Sequence, residues 1–299
     1  MVTTLESADG RVCLWWRMPF TSAGPSDVPG YVDAYSQTVQ AIIDLGQTCR
    51  PDDFERPTDC PGWTVKDVIA HVVGLETFLE THEIPAVFVP AYDHIRSDIG
   101  RFTEIHVEER RGVPGPEVVE ELVRLLPLRQ AALYGVADLD EEVPGAFGPA
   151  PFESVMRMRT LDIWTHEQDI REALGRIGDL DTPAAGVAIR TLASGLPRVV
   201  ARVAGVPVGN AVIFDITGPL VGRVGVRVVD RNGRAVGIPL FSGTAAGTTE
   251  DAIPTTITIS SRAFARRAAG RGGVDDVHWT AQGDLDVARR VMEHLAVTP

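Results

Sequence analysis

Apolar positions recur at helical spacing in four long stretches of the first 180 residues, then give way to short runs of β character. From Tyr31 to Leu45 they fall three and four apart and stop at Gly46, where a helix can end. Thr64-Val-Lys-Asp67 has the spacing of a capping box, and Pro61-Gly62 prevents an earlier start, so a second helix is predicted from Val65 to about Glu80. A third is predicted from about Pro116 to Ala137, kinked at Pro127. A fourth runs from about Phe152 to Leu174 and halts at Gly175. Four helices of this length predict an up-and-down bundle with some long connections.

After residues 183–204, which still read as helix, the pattern changes. Ala211–Thr217, Val221–Val229 and Thr255–Ser260 read as strands, and Asn232-Gly233 marks a hairpin. Val277–Gln282 reads as a last strand and Asp284–Leu295 as a closing helix. Helices first and mixed elements afterwards predict two domains: a helix bundle over 30–180, then a linker helix and small α/β domain over 181–299. Residues 1–29 run into the turn-rich Ser22–Gly30 and are expected to be a flexible, dispensable extension. A chain begun at Met18 is therefore expected to melt within a few degrees of the full one.

Composition narrows the function classes without naming one. Acidic residues outnumber basic ones, 41 to 28, for a net charge of −13, which argues against nucleic acid or an anionic membrane as partner. Cys13, Cys49 and Cys60 form no CxxC pair and no even-numbered framework, so a disulfide-stapled module is not expected. Val12–Met18 is too short, and interrupted by Arg17, to be a secretory h-region. No apolar run approaches the roughly 18 residues of a membrane span, so a cytoplasmic location is expected.

The candidate chemistry sits in the second and fourth helices. Asp162 and His166 are four residues apart, on one helix face with Cβ atoms about 5–6 Å from each other, close enough for both to reach one cation. Asp169 follows on the same face and could orient His166. His71, inside a well-capped helix, is the natural third ligand. Three protein ligands leave a fourth position open, as in a catalytic zinc site. The alternatives are an i,i+4 surface hydrogen bond for Asp162 and His166, and a core histidine for His71, which is flanked by Ile69, Ala70, Val72 and Val73. His82 lies eleven residues beyond His71, about 16 Å along the axis, too far to share an ion. His94 and His106 lie in the connection after the second helix and could approach the bundle mouth; His278 and His294 belong to the second domain. Trp63 and Trp164 are expected in the core, and Cys60 in a buried structural role.

Two segments carry a family resemblance. Thr58-Asp-Cys-Pro-Gly-Trp-Thr-Val-Lys-Asp-Val-Ile-Ala-His71 and Arg159-Thr-Leu-Asp-Ile-Trp-Thr-His-Glu-Gln-Asp-Ile-Arg-Glu-Ala-Leu-Gly175 resemble signatures of the actinobacterial mycothiol-dependent maleylpyruvate isomerase family. Phe264-Ala-Arg-Arg-Ala-Ala-Gly-Arg271 and Gly283-Asp-Leu-Asp-Val-Ala-Arg-Arg290 are similar to its C-terminal domain. The resemblance implies a DinB-like metal-binding four-helix bundle followed by a small sterol-carrier-like α/β domain. It implies His71, Asp162 and His166 as ligands of a divalent metal, Zn2+ first among them. Asp162 departs from the glutamate of the isomerase branch and has a shorter reach.

The activity so implied is a mycothiol-dependent isomerase or thiol S-transferase acting on a small-molecule electrophile or small organic acid. Mycothiol, the low-molecular-weight thiol co-substrate, would be activated by the metal. None of the three cysteines is required as nucleophile. Arg262, Arg266, Arg267 and Arg271 cluster on or beside one short helix. A solvated helix face accounts for three of them, and the family's use of a C-terminal-domain arginine points to Arg271 as the catalytic one. Arg96 and Arg101 are weaker candidates. The competing reading is a non-catalytic module whose bundle binds metal and whose second domain binds an apolar ligand; thiol-dependent turnover separates the two.

Overall fold

The structure is a computed structural model and describes residues 20, 24–241 and 254–298. Those residues fall into two compact units, one over 24–191 and the other built from Phe20 and 192–298.

The first unit is helical. Helix α1 (Val28–Gln47) starts where the Asp27 carboxylate accepts the Gly30 amide, supported by Pro29 in its first turn. After a single turn, α2 (Pro51–Phe54), helix α3 (Val65–Thr81) opens on the expected capping box, with Thr64 and Asp67 each accepting the other's amide N–H. Helix α4 (Asp98–Glu108) is followed by α5 (Gly115–Tyr134), which contains Pro127. A two-residue pairing of β1 (Glu142–Val143) with β2 (Ala150–Pro151) leads into α6 (Phe152–Leu174), which Gly175 ends at φ 67°. Helices α1 and α3 each pack on both α5 and α6, and α4 lies against α3. The core between them is aliphatic and aromatic, with Tyr31, Tyr35, Ile42, Ile69, Leu122, Phe152 and Ile163 buried.

Helix α4 occupies what the sequence reads as an open connection. Its buried residues are Glu104, His106 and Val107, so two of the three inward positions are polar. The expected extension 1–29 lies mostly outside the described residues. Within it, Phe20 pairs with Gly222, and Asp27 caps α1.

The carboxylate of Glu76 on α3, 1% exposed, gathers donors from the three other long helices. The Tyr35 hydroxyl of α1 donates to it at 2.8 Å, Arg129 Nε of α5 at 2.9 Å and Arg159 Nε of α6 at 2.9 Å. Burial would push this carboxyl's pKa up, but the two guanidiniums and the tyrosine hydrogen bond hold it below its usual value, so it stays ionised at neutral pH.

The second unit opens with the C-terminal end of α7 (Pro183–Ser194), the turn α8 (Leu196–Arg198) and a π-helical turn, Val199–Val203. Its five strands are β3 (Ala211–Thr217), β4 (Gly222–Arg231), β5 (Arg234–Leu240), β6 (Thr255–Ser260) and β7 (Trp279–Gln282). They are ordered β5-β4-β3-β6-β7, with β3 and β6 parallel and the other pairs antiparallel. The β4–β5 hairpin turns at Asn232 and Gly233, both at positive φ, as the Asn-Gly pair requires. Helices α9 (Ser261–Ala268) and α10 (Leu285–Glu293) cover the sheet, where Phe264 meets Phe214 edge to face at 5.7 Å. A helical unit followed by an α/β unit is the predicted fold class. Among the described residues no helix is long and apolar enough to cross a membrane.

Replacing Glu76 by Ala strands two buried guanidiniums and is expected to cost about 3–5 kcal/mol in urea unfolding. Tyr35→Phe removes one donor to a charged acceptor and is expected to cost about 1.5–3 kcal/mol. Equal, near-zero effects would show that the network does not join the helices.

Candidate metal centre

His71 and the Asp162/His166 pair face each other across the contact between α3 and α6. His71 Nε2 lies 3.4 Å from Asp162 Oδ2, and His166 Nε2 lies 3.6 Å from Asp162 Oδ1. One donor atom from each residue falls within 4.8 Å of the other two. A tetrahedral ion with bonds of about 2.0–2.1 Å separates its ligands by about 3.3–3.4 Å, so these spacings need little adjustment to hold one. The imidazoles are 2% and 7% exposed, whereas the Asp162 side chain keeps 32% of its surface open to solvent. The triangle is therefore closed behind and open at its carboxylate corner.

The neighbours set the donor atoms. Asp169, one turn beyond His166, lies 3.1 Å from its Nδ1, so Nδ1 carries the proton and donates, and Nε2 points at Asp162. Arg159, one turn before Asp162, donates from Nη1 to Oδ2 at 2.9 Å, while its Nε is held by Glu76. The Asp162 carboxylate is thus aimed by the same network that joins the helices.

The protonation pattern is that of a site built for a cation. Burial acts against ionising Asp162, but His71, Arg159 and His166 hold its carboxyl well below the usual range. Burial would also lower the His166 pKa, but Asp162, Asp169 and the Cys60 thiol raise it well above the usual imidazole value. His71, with burial dominant, is pushed down and stays neutral. One imidazolium proton lies between the carboxylates, where a divalent ion would take its place, since metal and proton compete for such donors.

A second group, Cys60, His166 and Asp169, is also close-packed, but all three residues are buried. Asp169 Oδ2 there accepts from the Cys60 thiol at 3.1 Å and from His166 Nδ1, so that oxygen already has two donors without an ion. Cys60 takes the buried role expected of it.

The structure adds to one tryptophan expectation and corrects one for arginine. Trp164 is buried and donates to the Asp179 carbonyl, but Trp63 is only half-buried, with its ring 5.0 Å from that of His71 and 5.9 Å from that of His166. Trp63 packs on the core, as expected, and at the same time borders the site. Arg267, expected on a solvated face, is 6% exposed and donates to the Met292 and Glu293 carbonyls, fastening α9 to α10. Arg271 lies just after α9 in the second unit, half-buried, and donates to the Ala269 carbonyl at 2.6 Å. Arg96 and Arg101 are exposed, and His82 caps α3 in the left-handed region.

Sequence reasoning missed Arg159, Glu76 and Glu104. Arg159 was readable as the residue one turn before Asp162, and Glu76 as an acid inside an apolar helix. Glu104 had no such signal. His94, 18% exposed, does reach the bundle and lies 2.8 Å from Glu104 Oε2.

Residues 35–171 match the family model described as the mycothiol maleylpyruvate isomerase N-terminal domain. The match covers most of the helical unit and a little under half of the chain. Two uncharacterized proteins from strains of Mycobacterium tuberculosis are each 24% identical to the chain over 148 residues, which is 50% of this chain and 69% of theirs. The crystal structure of a mycothiol-dependent maleylpyruvate isomerase is similar at a TM-score of 0.51 and 16% identity, covering 85% of this chain and 92% of that one. A histidine-to-alanine mutant of a mycothiol-dependent maleylpyruvate isomerase matches at 17% identity with the same TM-score and coverage. At these identities the likeness is one of fold.

His106 of α4 lies over Gly74 of α3, where a Cβ would come within 2.3 Å of its own. Burial, with help from His71 and Arg110, lowers its pKa to about 4. A depressed histidine pKa contributes stability that is complete above its unfolded value near 6.5 and lost as pH falls toward 4. That loss is expected to reach about 3 kcal/mol, read by urea unfolding across this window, and to be absent from the pH slope of His106→Gln. An unchanged slope in the variant would show that His106 is not the group responsible.

Proposed function

We propose that the helical unit binds one divalent metal, Zn2+ by preference, through His71, Asp162 and His166. On this reading the protein is a mycothiol-dependent enzyme of the maleylpyruvate isomerase type, an isomerase or a thiol S-transferase. The observation that carries it is a two-imidazole, one-carboxylate triangle of metal-binding dimensions, open on one side, within residues that match this family's N-terminal domain. A zinc ion held there lowers the pKa of a coordinated thiol enough to make it a thiolate nucleophile at neutral pH.

The chain's own residues supply position and selectivity. Asp169 fixes the His166 tautomer, and Arg159 restrains Asp162 Oδ2 so that Oδ1 faces His166. Buried apolar neighbours around His71 keep that imidazole neutral and its lone pair available. The Cys60 thiol is occupied with Asp169 and is not the nucleophile. Arg271 is proposed as the catalytic arginine that meets an anionic substrate, a role the family resemblance assigns and the planar fork of its guanidinium suits. The substrate class is a small electrophilic organic acid.

Elemental analysis of the purified protein is expected to find about one zinc per chain in the wild type and almost none in His166→Ala. Cys60→Ser should keep both metal and thiol-dependent turnover of maleylpyruvate. Arg271→Ala should keep the metal and lose turnover roughly ten- to a hundredfold. No metal in the wild type would overturn the reading. Loss of activity in Cys60→Ser with metal and fold intact would point to a cysteine enzyme instead.

A further inference from the structure

Glu104 is 1% exposed and collects three donors. Its Oε2 accepts from Trp63 Nε1 at 2.8 Å and pairs with His94 Nε2, also at 2.8 Å, while Oε1 pairs with Arg111. Burial would raise the pKa of this carboxyl, but the three hydrogen bonds hold it below its usual value. The indole so anchored lies against both imidazoles of the metal triangle and is itself only half-buried. The Pro61-Gly62-Trp63 turn is fixed from outside as well: Gly62 has φ 80°, and a Cβ there would sit 2.4 Å from the His94 ring. His94 in turn stacks on Tyr92 at 5.2 Å, and Arg111 lies over the same Tyr92 ring.

A partly buried tryptophan locked in one orientation beside an open donor triangle is more than packing. A core tryptophan gains by full burial, and a surface one has no need of a buried carboxylate to fix its N–H. We propose that Trp63 is the ligand-contacting wall of the His71–Asp162–His166 site. Its indole ring, beside both imidazoles, stacks on the planar, conjugated part of the bound molecule, and Glu104 is the residue that positions it. This rests on the metal-site reading of the previous subsection and adds to it a specificity determinant for flat, unsaturated ligands.

The test uses the full chain loaded with Co2+ and follows the thiolate-to-cobalt absorption band with two probes. These are 4-mercaptobenzoate, which carries a planar ring, and 2-mercaptoethanol, which does not. The wild type should bind the aromatic thiol more tightly. Trp63→Leu, which stays apolar but removes the ring, should bind Co2+ and 2-mercaptoethanol as the wild type does and lose about three- to tenfold in affinity for 4-mercaptobenzoate, the range of an aromatic pair. Trp63→Phe should recover most of that loss. Glu104→Gln, which keeps an acceptor for the indole but not the charge for Arg111, should lose less than Trp63→Leu. Wild-type preference for the aromatic thiol retained in Trp63→Leu would overturn the proposal while leaving the metal site standing. Failure of the wild type to take up Co2+ would overturn the metal-site reading and this proposal together. Should Trp63→Leu not fold, Trp63→Phe and Glu104→Gln both binding the two thiols in the wild-type ratio would overturn it equally.

Discussion

The buried carboxylate of Glu76 is the constraint on which the helical unit depends. An ionised acid in an apolar core is tolerated only when its lone pairs are filled, and here the filling comes from one residue on each of the other three long helices. Aliphatic packing between helices admits sliding and rotation at small cost, because one methyl contact resembles another. A carboxylate with three directional partners does not, so the register of four helices is set at one point. Arg159 carries that register onward: the guanidinium that satisfies Glu76 also holds Asp162. The donor triangle therefore inherits its geometry from the core.

The same logic explains why two imidazoles and two carboxylates can be packed so closely. Asp162 and Asp169 flank His166 from opposite ring nitrogens, and the positive charge between them is what keeps the cluster from flying apart electrostatically. Carried by a proton, that charge offsets the two carboxylates; a divalent ion in its place would do the same. The exposed side of Asp162 is where a ligand could approach, since the two histidines are sealed behind it.

Much of this was legible in the sequence, for identifiable reasons. The four long helices announce themselves by apolar periodicity and by punctuation at Thr64, Pro127 and Gly175, and the β4–β5 hairpin by Asn232-Gly233. Asp162, His166 and Asp169 share a helix face by spacing alone. What stayed hidden is what depends on partners distant in the chain. Helix α4 buries Glu104 and His106 where a pattern reader expects aliphatics. Trp63 reads as core because tryptophan is apolar, and only the folded chain reveals that it packs on the core while its ring also borders the two imidazoles. Arg267 reads as surface for the converse reason, since its buried carbonyl partners are backbone atoms that no sequence pattern displays.

The sharing of Glu104 Oε2 between an indole and an imidazole has an evolutionary side. Either donor can be lost by mutation and the oxygen is still satisfied by the other, so drift at positions 63 or 94 leaves no orphaned charge behind. Loss of the acceptor frees three donors at once. Tolerance is thus spread over the periphery of the cluster and withheld from its centre. A lineage can explore different walls for the site one substitution at a time while position 104 stays the same.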